Sequence, residues 1–264
     1  MTELYAGIDI GSLTTKCTLI DPEGRIVAWD LRPTAPNASK AAQGTLTAVC
    51  AAAKIEQGDL SLLVSTGYGR NRLPFEAKSI TEITCHAKGA ARLVSGARTV
   101  IDIGGQDSKA IRIDELGKVG DFVMNDKCAA GTGRFLEVMA RTLEVDLDQV
   151  GPLALEARSR IAVSSMCTVF AESEVVGLIA NGHPTPDILA GICRSVADRV
   201  AAMAARIGVT PAVVMTGGVA RNAGVVLALS EKLGHEVTPA PHAQLAGAYG
   251  AALFSMERNR SIND

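Results

Sequence analysis

Apolar residues along this chain follow two periods. Gly7–Asp21, GIDIGSLTTKCTLID, is an apolar run, a short polar turn and a second run in which apolar residues alternate. That pattern predicts a strand–turn–strand hairpin. DPEG (Asp21–Gly24) is a tight turn with proline in a favoured place, and RIVAWDL after it reads as a third strand. Ser39–Ile55 and Pro74–Val94 carry Ala, Leu and Val on one helical face, and LSLLVSTGYGR between them is a buried strand entering a glycine turn. Val100–Asp114 is again a hairpin, and LGKVGDFVMND gives a turn and a strand. Helices are predicted near Thr132–Leu143, Val169–Asn181 and Asp187–Ile207, then a strand in AVVMTGGVARN and a last helix in AQLAGAYGAALFSMERN. Strands alternating with helices predict a layered α/β fold, and the hairpins make its sheets mixed rather than purely parallel.

The two hairpins are copies. Asp9, Lys16 and Asp21 fall in the spacing of Asp102, Lys109 and Asp114. Repetition of a whole strand–turn–strand unit predicts a duplicated domain. The first copy would occupy residues 1–96 and the second 97–241, with a C-terminal helix at about 242–260 returning to the first.

Each hairpin turn lets backbone approach a ligand, since glycine lacks Cβ and tolerates positive φ. Successive N–H groups there form an anion site. Gly11, Ser12, Leu13, Thr14 and Thr15 on one side, and Gly104, Gly105, Gln106 and Asp107 on the other, are the candidate phosphate grips, with nucleotide in a cleft between the two lobes. Asp9 and Asp102, on the strands leading in, are candidate Mg²⁺ carboxylates, directly or through water. One such turn alone reads as an ordinary hairpin; two matched ones with matched acids favour phosphate. Lys16 stays open between a phosphate contact and a solvated hairpin residue. Thr132 reads as the N-cap of the helix that follows it. Arg70 in GYGRN can meet a partner or a phosphate. The Walker A and dinucleotide spacings are absent.

Composition narrows the class. With 26 Lys+Arg against 28 Asp+Glu the net charge is −2, so no field favours nucleic acid or anionic lipid. Aromatics are 3%, too few for base stacking. The absence of a signal-like start or a membrane-length apolar run predicts a cytoplasmic protein, where cysteines are thiols or ligands rather than disulfides. Cys17, Cys50 and Cys193 lie in strand or helix patterns as small hydrophobes, and Cys85–His86 are helix neighbours facing different ways. Cys128 in MNDKCAAGTGRF and Cys167 in SSMCTVF each precede a predicted helix, where amide groups and positive partial charge favour a thiolate. On their residues alone they remain open between ligands and buried apolar groups. Zinc would favour close CxxC pairs, which are missing, and a nucleophile would want an adjacent His.

The hairpin turns and MTGGVARN (Met215–Asn222) resemble the superfamily of sugar kinases, heat-shock chaperone ATPases and actin. With STGYGRN, VIDIGGQDSK, MNDKCAAGTGRF and SSMCTVFAESEV, essentially the whole chain resembles the ATP-dependent activators of 2-hydroxyacyl-CoA dehydratases, and more broadly the benzoyl-CoA reductase ATPase subunits. The resemblance implies a two-lobed actin-like ATPase binding ATP or ADP with Mg²⁺. It implies a homodimer sharing one [4Fe–4S] cluster, with Cys128 and Cys167 of each subunit as ligands. Gly217, Gly218 and Asn222 fall in its adenosine motif. Gln106 would orient the attacking water, with Asp9 and Asp102 beside it in the reaction. The implied activity is ATP-driven single-electron transfer to a 2-hydroxyacyl-CoA dehydratase, with ferredoxin or flavodoxin as donor. Other readings are an activator of a benzoyl-CoA-reductase-type or double-cubane enzyme, a small-molecule kinase, and an actin-like or chaperone ATPase used for binding alone. A kinase needs a general base near its acceptor, where this chain has Gln106, and neither of the last two accounts for Cys128 and Cys167.

Overall fold

The computed structural model describes residues 3–34, 36–164 and 167–263, so Met1 of the first predicted domain and Ser165 and Met166 of the SSMC motif fall outside it. The chain folds as two compact units: Met1–Ser95 with Leu116–Val119 and Gln244–Asp264, and Gly96–Glu115 with Gly120–Ala243. No described helix is long and apolar enough to cross a membrane.

The first unit runs β1 (Tyr5–Ile10), β2 (Thr14–Ile20), β3 (Ile26–Pro33), α1 (Ala38–Ala53), β4 (Leu62–Thr66), β5 (Lys78–Ser79) and α2 (Glu82–Leu93), and includes the final helix of the chain. Its sheet has the order β3-β2-β1-β4-β5. β1 pairs antiparallel with β2 and parallel with β4, so the sheet is mixed as the hairpin pattern predicts. Every residue of β1 is buried, as expected of a central strand covered on both faces. Ala6, Ile8 and Ile10 pack with Leu46 and Val49 of α1, while Tyr5 packs on the other face against Tyr249, Ala252 and Leu253.

The second unit runs β6 (Thr99–Ile103), β7 (Ser108–Ile113), β8 (Val119–Asn125), α3 (Gly133–Thr142), α4 (Val150–Ala154), α5 (Thr168–Ala180), α6 (Thr185–Ala204), β9 (Val213–Thr216), α7 (Ala223–Leu233) and β10 (Val237–Pro239), before α8 (Ala246–Asn263). Its sheet order is β10-β9-β6-β7-β8. Read from the other edge, this is the order of the first sheet strand for strand. The repeat therefore extends beyond the hairpins to five strands in each unit. Among the described residues α6 is the longest helix, and it buries Ile188, Ile192, Val196 and Val200.

Three local departures from the sequence pattern have physical causes. The helix predicted over Pro74–Val94 starts only at Glu82, where Thr81 accepts the Thr84 amide at 3.4 Å. Upstream, Leu73, Phe75 and Ala77 alternate with period two against the core of the first sheet, and Lys78–Ser79 pair with β4, so the segment is not helical. Thr132 occupies the N-cap position of α3, but its hydroxyl donates back to the Ala129 carbonyl at 2.7 Å instead of capping. α7 lies where the sequence pattern predicts no helix, and Asn222 starts it by accepting the Val225 amide at 3.0 Å.

α8 packs on both β1 and α2 through missing side chains. A Cβ on Gly7 would overlap the Ala248 carbonyl, and one on Gly250 would overlap the Cys85 carbonyl. The Tyr249 hydroxyl donates to the Gly24 carbonyl at 2.8 Å and the Ser255 hydroxyl to Leu62 at 2.6 Å. Because the clash at Gly250 is with backbone, a methyl there cannot be accommodated by a rotamer change. Gly250→Ala should destabilise the protein by about 3 kcal/mol or more, at or beyond the usual range for overpacking. Gly58→Ala, where nothing lies within 4 Å, should stay within about 0.5 kcal/mol. Urea unfolding of the two variants beside wild type checks both.

Candidate functional site

Both hairpins place a carboxylate at the end of the central strand and a lysine directly opposite it. Asp9 pairs in register with Lys16, and Asp102 with Lys109. A third strand brings a threonine to the same level, Thr66 beside Asp9 and Thr216 beside Asp102. The glycine after each threonine has positive φ, +85° at Gly67 and +84° at Gly217. A Cβ on Gly67 would overlap Asp9 Oδ1, and one on Gly217 would lie 2.9 Å from Asp102 Oδ1. The threonine–glycine pairs thus let the chain fold tightly over each acid. Their match, Thr66-Gly67 in STGYGRN and Thr216-Gly217 in MTGGVARN, is visible in the sequence, but only the sheet order shows that it belongs to the repeat.

In the first unit Gly11 donates its amide to the Thr14 carbonyl at 3.1 Å and closes the turn. Thr34, at the end of β3, fixes it from behind: its amide donates to Leu13 O at 2.9 Å and its hydroxyl to Gly11 O at 2.8 Å. Thr15 adds a hydroxyl contact with Thr34 at 3.0 Å, so Ser12 sits on a braced loop. Lys16 is no solvated hairpin residue, since its side chain is 15% exposed and its Nζ lies 3.1 Å from Asp9 Oδ2. The other oxygen, Asp9 Oδ1, is buried with no hydrogen-bond partner. A buried carboxylate oxygen left so is costly. It has the chemistry of an atom awaiting a cation or a metal-bound water.

In the second unit the acid is held differently. Lys109, fully buried, donates to Asp102 Oδ2 at 3.1 Å and Asp107 Oδ2 at 2.7 Å. The Thr216 hydroxyl donates to Asp102 Oδ1 at 2.9 Å. Gly104 closes its turn on the Asp107 carbonyl at 2.9 Å, and Gln106 at the tip is exposed. The carbonyls of this turn meet a helix: Gly133 donates its amide to Gly104 O at 2.9 Å and Arg134 to Gly105 O at 2.8 Å. Two of the unpaired amides at the start of α3 are satisfied by the turn itself. Gly217 donates its amide to the Ala243 carbonyl at 3.0 Å and Gly218 opens a short 3₁₀ turn, while the Asn222 side chain is engaged in capping α7.

The six cysteines separate by burial. Cys17, Cys50, Cys85 and Cys193 are buried, Cys128 is half-buried and Cys167 exposed. Burial pushes the Cys85 and Cys193 thiols up to about 12, and raises Cys17 and Cys50 as well. These four are poor sources of thiolate. Cys128 lies in a loop ahead of α3 that Asn125 wraps. Asn125 Oδ1 accepts the Cys128 amide at 3.2 Å, and its Nδ2 donates to the Cys128 and Ala130 carbonyls at 2.8 and 3.1 Å. Cys167 is the N-cap residue of α5, so it stands where helix amides are unpaired. Further upstream, the Arg158 and Ser159 amides donate to Asp187 at 2.7 and 3.2 Å and the Ser159 hydroxyl donates to it at 2.7 Å. These bonds, with the Ser159 hydroxyl foremost, hold the Asp187 carboxyl below its ordinary range.

Known proteins resemble the chain at two depths. At 19% identity and a TM-score of 0.58, over 96% of this chain and 99% of the other, a ROK family glucokinase from Streptomyces griseus shares its fold. The architecture is accordingly the α/β sugar kinase and actin fold with a duplicated mixed sheet. An activator of lactoyl-CoA dehydratase from Anaerotignum propionicum is 48% identical, over 95% of this chain and 96% of its own length. The Clostridium difficile activator of 2-hydroxyisocaproyl-CoA dehydratase, solved with bound ADPNP, superposes with a TM-score of 0.93 at 40% identity, covering 100% of this chain and 97% of that one. Residues 6–255 match one family throughout, and with the paired hairpins and the two accessible cysteines set within that match, the chain belongs to the BadF/BadG/BcrA/BcrD ATPase family.

Proposed function

We propose that this chain hydrolyses ATP to drive single electrons from a [4Fe–4S] cluster, shared by two copies of the chain, into a 2-hydroxyacyl-CoA dehydratase. The single observation that carries the reading is the division of the cysteines. The two that remain accessible, Cys128 and Cys167, each lead into a helix, and the other four are sealed in the core. Two accessible thiols per chain make a four-thiolate set only when two chains meet. α5 supports such a meeting. It begins at Cys167 and exposes Val169, Phe170, Val176 and Ile179, an apolar surface that suits a protein interface. When bound, the cluster supplies a low-potential electron, and a ferredoxin or flavodoxin in the cytoplasm restores it.

The residues around the nucleotide have separable tasks. Asp9, with its unpartnered oxygen, fits Mg²⁺ held through water, and Lys16 beside it balances the charge. The amides of the Gly11–Thr15 and Gly104–Asp107 turns bind phosphates. Gln106, exposed at the tip of its turn, orients the attacking water. Gly217 and Gly218 give the adenosine a close backbone surface. The bonds from Gly133 and Arg134 to the Gly104 and Gly105 carbonyls transmit the turn's position to α3 and hence to the Cys128 loop.

Protein purified without oxygen should be brown and carry about four irons per dimer, as one cubane requires. Cys128→Ala and Cys167→Ala should each lose the colour while keeping the fold, and Cys50→Ala should retain it. A colourless protein that phosphorylates a small molecule would overturn the reading in favour of a kinase. The transmission step has its own test. A methyl at Gly133→Ala would sit 3.1 Å from Gly104 O and 3.4 Å from Gly105 Cα, loosening the link. The variant should still hydrolyse ATP, yet deliver about tenfold fewer electrons per ATP, equivalent to ~1.4 kcal/mol of lost coupling. Stopped-flow reduction of the dehydratase alongside phosphate release measures that ratio.

A further inference from the structure

We propose that Lys109 is a positioning residue for ATP hydrolysis: it clamps Asp102 and Asp107 across the Gly104–Asp107 turn and so sets Gln106. The proposal rests on the reading of that turn as a phosphate site. Its basis is a difference between two copies of one hairpin. At the place of Asp107 in the second hairpin the first has Thr14, by the same spacing that matches Asp9 with Asp102 and Lys16 with Lys109. Lys16 accordingly meets one carboxylate and keeps some exposure, whereas Lys109 meets two and has none. Thr216 then occupies the last oxygen of Asp102 from a strand 114 residues away.

The clamp acts on the turn through short links. The Asp107 carbonyl takes the Gly104 amide, and its carboxylate folds over Gly104 closely enough that a Cβ there would overlap Oδ1. The same carboxylate is bound to Lys109. Gln106 precedes Asp107 directly, so its backbone is fixed from a buried anchor while its side chain stays in solvent. A buried ammonium bonded to two carboxylates has little freedom to move, because losing either partner leaves a charge uncompensated. The duplicated acids are thereby divided between two tasks. Asp9 keeps an open oxygen for a cation, and Asp102 is a structural anchor for the residue that orients water.

Steady-state ATP hydrolysis by the intact protein, prepared without oxygen, tests this. Lys109→Met should lower kcat about 10- to 100-fold, the scale of a small misplacement of a reacting group, with KM for ATP changed less than about threefold. In a Gln106→Ala background the same substitution should cost nothing further. Should Lys109→Met fail to fold, Thr216→Val and Asp107→Asn loosen the same clamp and should show the same split and the same lack of additivity. If Gln106→Ala hydrolyses ATP normally, the reading of the turn as a phosphate site falls. If Gln106→Ala is impaired while the clamp variants fold and hydrolyse normally, the clamp alone falls. Clamp variants whose losses add fully to that of Gln106→Ala, or fall on KM rather than kcat, would also overturn the positioning role.

Discussion

A carboxylate buried at the end of a central strand must find a cation nearby, and most of this structure is arranged around meeting that requirement twice. Asp9 and Asp102 are each 2% exposed. An ionised carboxylate in such a place is untenable alone. The neighbouring antiparallel strand supplies a lysine directly across the ladder, which fixes the seven-residue spacing and the register of each hairpin. A slip by one residue would turn the lysine to the opposite face of the sheet. The third strand then has to pass close over the acid, which explains why each is followed by a glycine at positive φ. Charge compensation thus dictates pairing, pairing dictates turn geometry, and the turns are what a phosphate would meet.

Duplication also frees one copy to specialise. The first hairpin retains an unpartnered oxygen on Asp9, and the second saturates Asp102 with Lys109 and Thr216. One copy keeps a bare buried carboxylate oxygen while the other has both oxygens held. Rigidity matters on the second side because the carbonyls of that turn are bound to the start of α3. A loose turn would lose its own geometry and its hold on the helix together.

Much of this is legible in the sequence. The Asp…Lys spacing announced both hairpins, the strand–helix alternation announced the fold class, and the two cysteines ahead of helices stood apart. What could not be read depends on distance in sequence or on burial. Leu73, Phe75 and Ala77 stand two apart, a strand period too short to outweigh the helical pattern that follows it, and their packing on the first sheet shows which one prevails. The Thr216 bond to Asp102 joins strands whose pairing no local pattern encodes. The spacing marks Lys109 as the counterpart of Lys16, but only its complete burial shows that it differs from it. α5 is apolar on nearly all sides, a pattern that fits a core helix as well as an interface helix. Only its exposure separates the two, with Ala171 and Val175 its buried residues.

Under the proposed function, the link between turn and helix also limits how energy would pass from nucleotide to cluster. Two backbone hydrogen bonds contribute net about 1 kcal/mol each. Driving a two-state element from one side to the other takes about 5.5 kcal/mol of differential binding. The bonds to Gly104 and Gly105 are therefore a connection and not the source of the drive. In the proposed function the source has to be the unequal fit of ATP and its hydrolysis products to the two hairpin turns, because a ligand shifts an equilibrium only by its differential affinity. α3, ten residues long and about 15 Å from end to end, is stiff enough to carry such a displacement as one body. Asn125 grips the loop between β8 and that helix at three points, so in that reading a displacement would reach Cys128 instead of being absorbed by slack chain.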